Sequence, residues 1–565
     1  MKKLRVAFLL DELTSSMYTN EIIDFVIQKN DIFERPAIIT GYKKREKQNL
    51  INKINSQFTK GPFVFIKRIL ISTLYRLIQK IETPAATKKF PNYKKTAEIN
   101  GIENLKILEV DGTWSKSQLF VEIQESDVDR IAELKLDCII RCGTGILRGR
   151  ILTCSKFGVL SFHHGDNRTN RGGPSGFWEV INREPSSGFI IQRLNDELDG
   201  GTVLVRGNIM TESFWSLNSA QLLEKSNVFM KILLEKIATN GQLPAPEGIR
   251  IHSNQLYRID TPTILIKYIY SVLFPAAYRK ILSKLLSPKI RRWSIAYLHH
   301  KNFTRSLWRH TKIKNPKGRF LADPFVFKNG NEVYIFVEDL CYTQNKGRIS
   351  AIKIDGKSTE FIGVVLEEDF HLSFPFVFEA NDQIYMIPES SKNNDIRLYK
   401  CIEFPKKWEF EQQLMSNIDA ADSMLFYNHG TWFLLTNICS ANIGDHQSEL
   451  HIFYSDDFKT GNWTPIGSGN PVIFDPLKSR NGGFFPHNGR LYRVNQVPGF
   501  LHYGQSFSIN EIEILTKDHY SEKPVSDITA NFVEMGVSTH HFNANETVAV
   551  MDYTLEQSLK SAKRR

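Results

Sequence analysis

Between Gly158 and Gly201 the chain spaces out side chains that suit proton transfer and the holding of a developing negative charge. The run GVLSFHH is short, apolar and rich in β-branched and aromatic residues, which predicts a buried strand. That strand delivers Ser161 and His163 to its carboxyl end, where open α/β sheets place their sites. His163 is the candidate base, because imidazole titrates near neutral pH, and Asp199, beside a Gly-Gly turn, is the candidate that orients it. The polar loop between them offers Asn167, Asn170, Arg171 and Gly172 for contacts to a substrate. His164 falls on the opposite face of a regular strand and reads as structural.

A second set of chemical side chains lies in the C-terminal half, inside an internal repeat. ADPFVFKNGNEVYIFVED (322–339) is echoed by SFPFVFEANDQIYMIPES (373–390), with fainter copies at 421–437 and 481–496. Tyr334, Tyr385, Trp432 and Tyr492 hold one register at spacings of 51, 47 and 60. Strand-turn-strand repeats near this length predict β-propeller blades, here about five. The register brings Asp323, Phe374, Asp422 and Gly482 to one level of the central funnel, and Glu338, Glu389, Thr436 and Gln496 to another. Asp323, Glu338, Glu389 and Asp422 are therefore the candidate propeller site. Paired carboxylates suit glycoside hydrolysis. Sugar binding without chemistry, and a plain scaffold or dimerisation role, stay open beside it.

These sites need elements to carry them. Apolar runs at Arg5–Leu10, near residue 38, at 106–110 and at 137–143 predict parallel strands, with helices at 18–28 and 118–134. The reading is a doubly wound, Rossmann-like α/β domain over 1–245, its closing helix capped by Gly241. Residues 43–100 form an insertion around a basic amphipathic helix, and 246–298 a basic helical connector. The propeller spans 299–555 and a basic tail 556–565. The two basic amphipathic segments have two readings: packing against each other or in a homodimer, or peripheral contact with an anionic membrane face.

Composition sets the outer limits. At 565 residues several domains are expected, and 41% hydrophobic with 24% charged residues is ordinary for a soluble globular protein. A net charge of +11 fits an acidic small molecule, an anionic membrane or nucleic acid alike. The basic residues do not cluster with spaced aromatics, which weighs against nucleic acid. Six cysteines form no CxxC pair and no zinc spacing, so no metal and no disulfide framework is expected. The opening VAFLL run is too short for a signal peptide. The expected location is cytoplasmic, with peripheral contact at the inner membrane face as the extension of the helix reading.

Two resemblances follow from these residues. His163, Arg171-Gly172 and Leu198-Asp199-Gly200-Gly201 stand at the offsets of the formyltransferase family that uses a 10-formyl-tetrahydrofolate donor. That resemblance, strongest over about 100–210, implies formyl transfer to an amine with 10-formyltetrahydrofolate as cofactor, His163 as base and Asp199 as its partner. The family's oxyanion-holding Asn is Ser161 here, a weaker donor, and Asn167 or Asn170 is the expected substitute. An amino sugar, nucleotide- or lipid-linked and destined for a surface glycan, is the implied substrate. The Asp-Pro-Phe and Pro-Phe-Val-Phe-Glu signatures resemble the five-bladed, glycoside hydrolase-like domain found in plant glucosamine inositolphosphorylceramide transferases, over about 295–550. That implies a carbohydrate at the propeller. Two alternatives stand beside an enzyme of this kind: a non-catalytic sugar- or folate-binding protein with a degenerate site, and a propeller glycosidase or glycosyltransferase-associated protein.

Overall fold

The computed structural model describes residues 2–42, 61–117, 119–169, 172–197, 200–248, 255–285, 289–299, 306–356 and 358–558. The chain divides into two compact units, 1–276 and 277–565.

The first unit is built on a seven-stranded sheet. Its strands are β1 (Val6–Leu9), β2 (Ala37–Thr40), β3 (Lys106–Glu109), β4 (Cys138–Arg141), β5 (Val159–His163), β6 (Ser186–Arg193) and β7 (Thr202–Met210), in the order β7-β6-β5-β4-β1-β2-β3. The five strands from β5 to β3 pair in parallel, and β6 and β7 close one edge as an antiparallel hairpin. β1 reads VAFL and β4 CIIR; nearly every one of these residues is buried, as strands covered on both faces require. Its helices are α1 (Met17–Gln28), α2 (Pro62–Lys89), α3 (Glu125–Ala132), α4 (Phe177–Asn182), α5 (Trp215–Asn240) and α6 (Pro262–Tyr268), and a further helix, α7 (Phe274–Leu285), runs over the division between the units. α5 stops at Gly241, whose φ of +67° suits a residue without Cβ.

Three sequence expectations change here. The helix expected over 118–134 begins only at Glu125, because Phe120–Ile123 is a strand paired with Gly112–Trp114 and Ile146–Arg148. α2 runs on through Pro84 to Lys89. The stretch read as a connector divides between the two units. Leu265, Tyr268 and Val272 pack on Ile78, Phe177 and Trp215 in the first core. Buried polar groups fix that packing: Tyr268 donates to Glu82 Oε1 (2.6 Å), and the Ser216 amide to Glu82 Oε2 (2.9 Å).

The second unit is five sheets. Blade 1 spans Arg319 to Leu366, blade 2 Ser373 to Ser416, blade 3 Ala420 to Phe474 and blade 4 Asn481 to Thr529. Blade 5 is assembled from both ends of the unit. Phe542–Ala544 and Val548–Ser558 supply its inner strands, and Lys289–His299 and Thr311–Lys312 its outer ones. Lys289–His299, expected to be helical connector, is thus the strand that closes the ring, paired from end to end with Val548–Ser558.

The repeat register becomes a physical register. Tyr334, Tyr385, Trp432 and Tyr492 sit on the second strand of their blades, opposite Phe327, Phe378, Tyr427 and Phe485. Each first strand also carries a bulge at the same place, after Ala322, Ser373, Ala421 and Asn481.

Candidate functional site

The bulges build the candidate site. Asp323, Phe374 and Asp422 occupy them with φ of +49°, +44° and +51°, the left-handed region that side chains rarely adopt. Such strain persists only where the surrounding structure enforces it, and it gathers at functional sites. In blade 4 the bulge holds Gly482 and Gly483. A Cβ on Gly483 would stand 2.2 Å from the Phe542 carbonyl oxygen, so only glycine lets blades 4 and 5 meet there.

Four acids come together, two of them on one arginine. Arg480 donates from Nε to Asp422 Oδ2 (2.6 Å), and its Nη2 stands 3.9 Å from Glu389 Oε2. Gln496 donates to the same Asp422 oxygen (3.0 Å). Ser373 and Ser391 donate to Glu389 at 3.0 and 2.8 Å. Glu338 faces His371 (3.3 Å), and its charge, with those of Asp422 and Asp552, bears on Asp323. All four candidate propeller residues, Asp323, Glu338, Glu389 and Asp422, therefore share one electrostatic site.

Burial and neighbours drive these carboxylates apart. Burial pushes Asp422 up to about 6 against the opposing charge of Arg480, and the charge of Glu389 adds to the rise. Burial works against the charge on Glu389 too, yet Arg480 and Ser391 outweigh it and hold Glu389 below its ordinary value. Burial raises Asp323, against the pull of His540. Two carboxylates so separated can divide the roles of acid and ionised partner.

Sequence reading missed the fifth blade's contribution. His540 Nδ1 lies 2.6 Å from Asp552 Oδ2, and its Nε2 lies 3.3 Å from Asp323 Oδ1. Burial disfavours charge on this imidazole, but Asp552 and then Asp323 outweigh burial and hold it above its ordinary value. Trp293 stacks on His540 at 4.0 Å between ring centres, and Tyr503, itself half-exposed, meets it edge-on. The signal was present: His540-His541-Phe542-Asn543 is a further copy of Asp323-Pro324-Phe325-Val326, followed by the same turn and apolar strand. Asp323, His540 and Asp552 are also the one group of metal-ligating type found among the described residues.

The first unit's candidates fare differently. Ser161 and His164 line a cleft of about 390 Å³ with Ser16, Tyr18, Arg141 and Cys142, at the carboxyl ends of β1, β4 and β5 where the strand order reverses. Ser161 donates to the Phe162 carbonyl at 3.3 Å. His164 bonds Ser226 (3.0 Å) and burial pushes it down to about 4, so it is neutral at pH 7. His163 is half-buried at the strand's end. Asn167 accepts from Arg206 (3.1 Å), which also binds Asp166 and Glu247. Gly172, at φ +110°, lies against the Tyr257 carbonyl. Asn170, Arg171 and Asp199 lie outside the described residues.

Comparison with known proteins places the second unit. The family described as "Glucosamine inositolphosphorylceramide transferase 1, N-terminal" matches residues 309–552. Glucosamine inositolphosphorylceramide transferase 1 of Arabidopsis thaliana is 32% identical over 269 residues, 43% of this chain and 35% of that protein. The chain thus spans about a third of the curated relatives it matches. Among solved structures, a thermostable family-43 glycoside hydrolase covers 43% of this chain and 91% of its own at 15% identity and a TM-score of 0.32. Glycinamide ribonucleotide transformylase 1 from Symbiobacterium toebii covers 42% and 89% at 11% identity and a TM-score of 0.26.

These findings correct the expected reaction. The named relatives are glucosamine inositolphosphorylceramide transferases, so folate-dependent formyl transfer and the 10-formyltetrahydrofolate cofactor are withdrawn. The residues agree with the correction, because Ser161 replaces the oxyanion-holding amide and turns its hydroxyl to the backbone.

Proposed function

We propose that the propeller binds an amino sugar of a glycoconjugate in its funnel, as part of glycan or glycolipid assembly. The observation that carries this is the gathering of Asp323, Glu338, Glu389 and Asp422 in one electrostatic site, with Arg480 paired to Asp422 and Glu389. Carboxylates accept hydrogen bonds from sugar hydroxyls, and a site richer in acids than in cations favours a protonated amine over a neutral or acidic sugar. The glucosamine in the relatives' name agrees with that preference. Calorimetric titration of the full chain with glucosamine, N-acetylglucosamine and glucuronic acid tests it. Glucosamine is expected to bind more tightly than the other two, with binding lost in Glu389→Gln. Equal affinity for all three, or none for any, overturns the reading.

The separation of Asp422 from Glu389 favours a second reading, in which the funnel makes or breaks a glycosidic bond. Asp422, held near 6, would protonate the leaving oxygen while water or an acceptor hydroxyl attacks the anomeric carbon and passes its proton to ionised Glu389. Turnover of aryl glycosides or a glycolipid that disappears in Asp422→Asn supports this reading. Binding without turnover leaves the funnel as a recognition site.

A further inference from the structure

α2 is amphipathic in an unusual sense: it has two apolar faces, and the structure covers only one. Ile71, Leu74 and Ile78 turn inward against α6 and the turn that follows it. Phe63, Ile66, Leu70, Leu77 and Ile81 recur at intervals of three, four, seven and four, which at 100° per residue makes a second stripe beside the first. All five are exposed, Phe63 at 88% and Ile66 at 61%. Ile266 and Tyr270, one turn apart on the helical segment packed against α2, add to the exposed apolar surface, Tyr270 at 70%. Soluble proteins rarely leave so many large apolar side chains together in water without a partner for them.

Charge specifies the partner. The helix carries six Lys and Arg against one acid, Glu82, and Glu82 is turned into the core by Tyr268 and Ser216. By the same 100° spacing Lys67 borders the apolar stripe on one side, and Arg76 and Lys80 border it on the other. Apolar side chains flanked by cations match a bilayer surface that presents acyl chains below anionic headgroups. No helix among the described residues is long and apolar enough to cross a membrane.

We infer that α2 and the helical segment beside it dock this protein on an anionic phospholipid surface, with Phe63, Ile66, Leu70, Leu77 and Ile81 entering the headgroup boundary and Lys67, Arg76 and Lys80 meeting the lipid phosphates. The surface lies in the first unit and does not rest on the reading of the funnel.

The test is co-sedimentation of the full chain with vesicles of phosphatidylcholine, alone or mixed with phosphatidylserine, at low and high salt. The chain is expected to partition onto the anionic vesicles, to bind phosphatidylcholine weakly, and to be released as salt rises. Ile66→Ser/Leu70→Ser/Leu77→Ser and, separately, Lys67→Glu/Arg76→Glu are each expected to weaken binding at least about tenfold. Both sets are exposed, so the melting curve is expected to stay unchanged, and the charge pair keeps the test decisive if the triple variant folds poorly. Failure of the natural chain to bind anionic vesicles overturns the inference, as does binding undiminished in both variants. A dimer in size-exclusion chromatography that the triple variant abolishes, with no vesicle binding, overturns it in favour of a second copy of the chain.

Discussion

Arg480 Nε stands 2.6 Å from Asp422 Oδ2, joining the third blade to the start of the fourth across the mouth of the propeller funnel. Both side chains are nearly shielded from solvent, and Arg480 is held well above its ordinary value by Asp422, Tyr503 and Glu389 despite burial. Arg480→Gln would leave Asp422 and Glu389 close together without a counter-charge. Breaking one partner of a buried pair costs about 3–5 kcal/mol, so a loss of that order is expected in urea unfolding of the second unit. Arg480→Gln/Asp422→Asn is expected to recover part of it. A single variant as stable as the natural chain would show that the pair does not hold these blades together.

His540 sets the pH dependence of the same unit. Its value in the folded state is raised above the unfolded one, so its stabilisation is full below about 6.5 and is lost as pH rises through the folded value. Asp422, raised to about 6, has the same sign lower down: its favourable contribution is full below about 4 and is lost by about 6. His371 and His446, raised by Glu338 and Asp419 against the effect of burial, add to the upper part. His541, pushed down to about 3 by burial, has the opposite sign and gains stability as pH rises to about 6.5, so the melting temperature of the second unit is expected to fall by about 2–4 °C only between pH 6.5 and 8. Asp552→Asn should flatten that fall. A curve that rises between pH 6.5 and 8 would contradict the assignment.

The strands of the first unit were legible because β1, β4 and β5 are short apolar runs, and covered parallel strands leave that imprint. The edge at 118–134 was not, since FVEI alternates as a strand while the residues after it repeat as a helix, and the two patterns merge in one window. The propeller was legible through its aromatic register. The count of about five blades was legible too, but the make-up of the fifth was not, because the chain splits it: the inner strands come last in sequence and the outer strand some 250 residues earlier, inside a basic stretch that reads as helix. His540 and Asp552 were hidden with it. The repeat motif marked Asp323 and Asp422 through their place in the sequence, but not the backbone strain that aims them, nor Arg480, which belongs to no repeat position. In the first unit, spacing alone suggested a chemistry that the relatives' names and the engagement of Ser161 overturn.

Closure of the ring rests on the last strands. Phe542–Ala544 and Val548–Ser558 are the inner half of blade 5, and Asn543 accepts from the Val326 amide (2.9 Å) and donates to the Phe484 carbonyl (2.6 Å), tying blade 5 to both neighbours. Truncation before Phe542 removes those bonds and exposes the edges of blades 1 and 4. The truncated chain is expected to lose near-ultraviolet circular dichroism from the second unit and to become sensitive to protease between 289 and 541. Gly483→Val, which sets a side chain against the Phe542 carbonyl, is expected to destabilise the same unit by more than about 3 kcal/mol.

Glu82 holds α2 to the first unit through two bonds that have no substitute in view. It accepts from the Tyr268 hydroxyl at 2.6 Å and the Ser216 amide at 2.9 Å, and burial raises it above its ordinary value despite both donors. Tyr268 in turn accepts from the Trp215 amide at 2.8 Å, so one carboxylate fixes α2, α6 and the start of α5 together. Glu82→Leu fits the apolar surroundings but strands both donors, and a cost of about 2–4 kcal/mol is expected. Glu82→Gln keeps an acceptor and should cost about half as much. Hydrogen exchange localises the effect: the amides of α2 and of Trp215–Asn218 are expected to lose protection while those of the propeller stay unchanged. If Glu82→Leu left α2 as well protected as in the natural chain, apolar packing through Ile78 and Leu265 would be sufficient to hold the helix, and the exposed stripe would owe its orientation to that contact alone.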